Sequence, residues 1–154
     1  FGVTVDVRQK LTDAFGARVS CTEVPSAAAM RARITSAQGT RHVAGLVEPG
    51  PRFAVVEIAA PSATLAVGTF QAFIDELVER GGAQDVDYVH GDEALARLAQ
   101  ADRCVGLHFA GLSKAELMRH VVHDGPTPRK TFSMGEAHEK RFYVEARRID
   151  GATR

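Results

Sequence analysis

Two β-rich runs, His42 to Val47 and Phe53 to Ile58, are separated only by "EPGPR". So short a link between two strand-like runs reads as a hairpin. Pro49 and Gly50 fit the central positions of a type II turn, because Gly accepts the positive φ needed at the second of them. Pro51 has no N–H to donate and delays the start of the second strand. A hairpin at this point requires a sheet, and the rest of the chain must cover it.

The covering pieces are helices. In "FGVTVDVRQKLTDAFG", Val3, Val7, Leu11 and Phe15 recur every fourth residue, one face of a helix, and Gly16 can end it with positive φ. "ARVSCTEV" reads as a short strand. "PSAAAMRARITSAQG" opens on the helix-start pair Pro25-Ser26 and is helical by its alanine content. "VGTFQAFIDELVERGG" carries Val67, Phe70, Phe73, Ile74, Leu77 and Val78 at spacings of three and four, and Gly81-Gly82 stop it. "VDYVH" reads as a strand, "GDEALARLAQAD" as a helix capped by Asp92, and "RCVGLHFAG" as a strand. In "LSKAELMRHVVHDG", Ser113 and Glu116 form a capping box, with Leu112 and Leu117 placed for a hydrophobic staple and Gly125 as the stop. "RFYVEARRI" alternates like a last strand.

The order α-β-α-β-β-α-β-α-β-α-β predicts an α/β or α+β fold. It would be a mixed β-sheet with flanking helices, a single layered domain over residues 1–154 with one β-hairpin and one β-α-β unit. In that unit, Val86 to His108, a parallel pair of strands is the default. Apolar residues at 45% and charged residues at 25% suit a folded, soluble domain. The net charge is zero, which argues against a non-specific grip on nucleic acid or an anionic membrane. No apolar run is long enough to span a bilayer. Cys21 and Cys104 have no metal-ligand spacing and are expected to be buried, reduced thiols, consistent with a cytoplasmic location.

Charge is segregated along the chain. From Asp75 to Asp102 eight acids stand against Arg80 and Arg97, a net of −6; from Arg129 to Arg148 the net is +3. Two solvated faces, or complementary surfaces of a homo-oligomer, account for this pattern. The basic segment "PRKTFSMGEAHEKRF" is the sharper candidate. Arg129 and Lys130 supply charge, Thr131 and Ser133 supply hydroxyl donors, and His138 lies close by, the residue types that hold a small-molecule anion or a nucleotide. Neither a Walker loop nor a dinucleotide-binding glycine pattern is present. His90 and His108 each end a strand-like run, where an α/β sheet with parallel strands places its binding crevice. His120 and His123 are three apart on one helix. Leu117, Met118, Val121 and Val122 define its apolar face, so His123 should point away, His120 should sit on a flank, and both should be exposed rather than bind a metal. No nucleophile elbow and no marked pair of acid–base carboxylates stands out.

From "LAVGTFQAFIDELV" through "DYVHG", "LHFAG", "KAELMRHVVHDG" and "PRKTF" the chain resembles the C-terminal part of the family called domain of unknown function 1015. The likeness covers about two-thirds of the chain and rests on the order and spacing of pieces. It implies a longer protein, whose N-terminal half is similar to the ParB/sulfiredoxin-like superfamily and carries an Asp-Gly-His-His-Arg stretch. This chain has no such stretch, so no catalytic residue carries over. The matching positions are His90, Gly91, Lys130 and Thr131. The resemblance implies an accessory domain that helps shape a phosphotransfer or small-molecule anion site, with ATP or ADP and Mg²⁺ as cofactors only where phosphotransfer takes place. A non-catalytic oligomerisation or small-molecule-binding domain is the alternative.

Overall fold

A computed structural model describes residues 1–37 and 40–127. The helices are α1 (Val7–Phe15), α2 (Ala27–Thr35), α3 (Ala66–Glu79), α4 (Asp92–Leu98) and α5 (Lys114–His123). The strands are β1 (Val19–Val24), β2 (His42–Glu48), β3 (Arg52–Ile58) and β4 (Gly106–His108). The order across the sheet is β1-β3-β2-β4, and all three pairings are antiparallel. The class is therefore α+β, an antiparallel sheet flanked by helices.

The hairpin forms where expected. Val47 faces Phe53 and Glu48 faces Arg52 across the ladder, and Gly50 takes φ +79° in the turn. Alternation then sorts β2 and β3 onto two faces. Ala44, Leu46, Ala54, Val56 and Ile58 meet Val7 and Leu11 of α1 and Phe70 and Phe73 of α3. Val47 and Val55 face the other way, onto Met30 and Ile34 of α2 and Ala99 just past α4. Helices thus cover both faces. Gly45 permits a close approach of α2 to the sheet: a Cβ there would lie 2.5 Å from Met30 Sδ and 2.8 Å from Ile34 Cδ1.

The parallel β-α-β unit does not form. Residues 86–90 make no strand, because the acids beside them take the backbone donors a ladder would need. Asp85 Oδ1 accepts from Val86 N–H at 2.7 Å and Asp87 Oδ1 from Tyr88 N–H at 2.8 Å. β4 instead runs antiparallel to β2, with Gly45 opposite His108. Cys104 is buried as expected, but Cys21 is exposed, because β1 is the outermost strand among the described residues and its middle four residues are all exposed. The expected strand "RFYVEARRI" lies outside the described residues.

One charged cluster is built into the first face. Glu48, at the end of β2, has a side chain only 8% exposed. Arg8 of α1 grips its Oε2 with Nε at 3.0 Å and Nη2 at 2.6 Å, and reaches Glu23 of β1 with Nη1 at 2.9 Å. Glu48 holds the guanidinium even more firmly protonated than usual. The cluster ties α1, β1 and β2 together.

Candidate functional site

α4 was expected to begin with a capping Asp92. Its cap is Gly91 at φ +95°, and Asp92 is the first helical residue. Its carboxylate is thereby free to leave the helix. Oδ1 lies 2.9 Å from His108 Nε2 at the end of β4, and Oδ2 lies 3.4 Å from Arg31 Nε on α2. These three side chains rim a shallow cleft floored by Met30, Val47 and Phe53.

The proton inventory of the pair is constrained. A carboxylate only accepts, so His108 Nε2 carries the hydrogen that Asp92 receives. His108 Nδ1 is buried and has no hydrogen-bond partner among the described residues. It is a lone-pair acceptor in the neutral ring and an N–H donor in the imidazolium. Leaving such an atom unmet costs about 1–3 kcal/mol, so the arrangement favours a water or ligand atom beside it. An imidazole oriented by a carboxylate on one nitrogen and left unpaired on the other can hold or pass a proton.

Of the residues singled out from the sequence, His108 is at this cleft. His90 is exposed in the segment ahead of α4, and it is Asp92, two residues on, that meets His108. Arg129, Lys130, Thr131, Ser133 and His138 lie outside the described residues. Asp92 and Arg31 were missed as site residues. Asp92 read as a helix cap, and Arg31 belongs to a helix whose contacts only the hairpin's far face defines.

A second polar cluster lies on the opposite face. His120 is 3% exposed, not a solvent-facing helix-end residue. Its Nδ1 lies 3.2 Å from Asp124 Oδ2, which also accepts the Thr64 N–H at 2.6 Å. That backbone donor holds the Asp124 carboxyl below the usual range. The apolar face read for α5 is only partly buried: Leu117 is half-buried and His123 is exposed as expected, but Met118 is 63% and Val122 75% exposed, and it is His120 that points inward. The capping box does form, with Ser113 Oγ accepting Glu116 N–H at 3.2 Å and Glu116 Oε2 accepting Ser113 N–H at 2.9 Å. The Asp124–Thr64 bond and the inward His120 settle which side of the helix docks.

Nearby, His42 Nδ1 lies 2.9 Å from Thr69 Oγ1 on α3. Burial pushes the His42 imidazole below its ordinary value, against the Thr64 backbone and Asp124, which raise it. The folded chain therefore resists a proton that the unfolded chain accepts. Below about pH 6.5, the ordinary histidine value, the unfolded state binds more protons and stability falls with pH until the folded imidazole is itself protonated. The melting temperature should drop more steeply between neutral pH and pH 5.5 for the native chain than for His42→Asn. The carboxylates and other histidines are common to both proteins, so parallel curves would remove His42 as the source.

Among the described residues, no group of three or more His, Cys, Asp or Glu is placed to hold a metal ion, and no helix is long and apolar enough to cross a membrane. Set against protein-family models, curated proteins and solved structures, the chain matches none of them.

Proposed function

We propose that this chain is a ligand-binding accessory domain, and that its ligand meets it at the Arg31–Asp92–His108 cleft. The observation that carries the reading is the buried Nδ1 of His108, unpartnered among the described residues and held in place through Nε2 by Asp92. Asp92 orients the ring, His108 holds or passes a proton, and Arg31 steadies Asp92 while lending positive charge to the rim. The resemblance to the domain of unknown function 1015 family adds the ligand class. It would be a small phosphate or carboxylate anion, or a nucleotide such as ATP or ADP with Mg²⁺, turned over by a ParB/sulfiredoxin-like partner half. On that reading Arg129 and Lys130 would offset anionic charge, Thr131 and Ser133 would donate to it, and His90 and His138 would be further ligand-binding positions.

The test is a titration of the chain with inorganic phosphate, succinate and Mg-ADP, followed by the imidazole ¹H–¹⁵N resonances. At least one ligand should move the His108 ring signals saturably, and Asp92→Asn should abolish that response. Lys130→Ala should weaken it. A His108 ring that ignores all three ligands would sink the proposal.

A further inference from the structure

We infer that the Arg31–Asp92–His108 cleft takes its ligand together with a proton, and that the ligand is a small monocarboxylic acid with an apolar body, bound as the carboxylate on a charged His108 ring. The inference rests on the ligand-binding reading above and narrows it.

Register fixes which side of the sheet His108 serves. Directly opposite residues of an antiparallel pair share a face, so His108 shares that of Gly45, the face covered by α2. Its Nε2–H is committed to Asp92 Oδ1 at 2.9 Å. The neutral ring has no second N–H, so the buried Nδ1 presents a lone pair. A lone pair and an anion have no hydrogen to share. The neutral ring therefore suits a donor, and an anion is accepted only when a proton sits on Nδ1. Asp92 keeps its bond from Nε2–H in both states, so protonation turns Nδ1 from acceptor to donor without turning the ring. The imidazolium then bridges two carboxylates, Asp92 on Nε2 and the ligand on Nδ1.

Charge points the same way. Among the described residues, the charged and titratable side chains lining the cleft are Arg31 of α2, Asp92 of α4 and His108 of β4, while β2 and β3 contribute Val47 and Phe53. The other charges of α4, Glu93 and Arg97, are exposed. With a neutral ring, Arg31 and Asp92 cancel and nothing is left to balance an anion. With a charged ring the cleft carries a single positive charge, the complement of a monoanion. A dianion or a nucleotide brings more negative charge than these side chains offset.

Size and lining select the body of the ligand. The empty space is about 230 Å³, part of it open to solvent. Pockets for drug-sized molecules hold about 300–1,000 Å³. Met30, Val47, Phe53, Leu95 and Ala96 line the cleft, so a few apolar carbons leave water there. A phosphate, polar all round, gains nothing from that floor. A short branched acid covers it and still presents a carboxylate.

Isovalerate and its amide are the probes, with inorganic phosphate and Mg-ADP beside them, all on the full chain. Above about pH 6 the free acid is ionised. Calorimetry in buffers of different ionisation enthalpy should show uptake of about one proton per isovalerate bound, at a pH where the free His108 ring is neutral. Affinity should fall about tenfold per pH unit above the titration of that free ring, which its ¹⁵N resonances follow in the same samples. The bound ring should give imidazolium shifts where the free ring is neutral. The amide has an N–H to give to the neutral ring, and its affinity should hold as pH rises. His108→Asn should leave no pH slope in whatever isovalerate binding remains. Isovalerate bound without proton uptake, or a ring that answers to phosphate, Mg-ADP or the amide but not to isovalerate, would overturn the inference and leave the cleft a ligand site. A ring indifferent to every probe would remove both readings.

Discussion

Arg8→Met should lower the stability of the fold by about 3 kcal/mol, near the lower end of what breaking a buried ion pair costs. The loss comes from Glu48. With Arg8 gone, a carboxylate 8% exposed keeps, among the described residues, only Arg52, whose Nη2 is 3.9 Å away and whose side chain is mostly in solvent. The lower end is appropriate because Arg8 itself is 27% exposed, so water can reach part of the vacated site. Adding Glu48→Gln to Arg8→Met should recover part of the loss, because the uncompensated charge is then absent. The two single changes would sum to more than the double change. Urea denaturation of the three variants measures this directly. Strict additivity would mean that the pair does not act as a unit.

Phe70→Ala should cost about 3–5 kcal/mol, the range for truncating a fully buried aromatic side chain. Phe70 has no solvent exposure and lies at the centre of the first core face. Its ring meets Phe109 edge-on at 5.5 Å between centroids, so truncation also strips a partner from the segment that follows β4. For a chain of this length the melting temperature should fall by roughly 10 °C. Phe70→Leu keeps much of the volume and should cost less. A Phe70→Ala protein melting within a degree or two of the native chain would mean that the core collapses around the gap.

The elements with strong local chemistry were legible in the sequence. The Pro49-Gly50 turn, the Phe70–Phe73 face of α3, the Gly16 stop and the Ser113–Glu116 capping box each form where their residues dictate. Local chemistry also explains the main failure. Val86 to His90 has strand-like side chains, but Asp85 and Asp87 bond the backbone first, and a parallel pair never starts. The site was half legible. His108 was singled out as the end of a strand, for a crevice that parallel strands would have built; the antiparallel β4 brings it to a different one. Its partnership with Asp92 depends on Gly91 rather than Asp92 taking the cap, a choice set by one backbone angle. For His120, periodicity on a short helix with apolar residues on two sides could not choose between them. A long-range bond from Asp124 to Thr64, sixty positions away in sequence, does.

Gly45 has a consequence for how the hairpin finds its pairing. β2 alternates Ala44 and Leu46 on one side with Gly45 between them, facing α2. A slip of one residue turns every side chain to the other face. It would press Leu46 into the space where even a Cβ meets Met30 and Ile34, and carry the Glu48 carboxylate away from Arg8 into an apolar layer. The strand's alignment is therefore checked twice as the helices dock, once against α2 by the absence of volume and once against α1 by the placement of charge, and a misaligned hairpin cannot be covered by both.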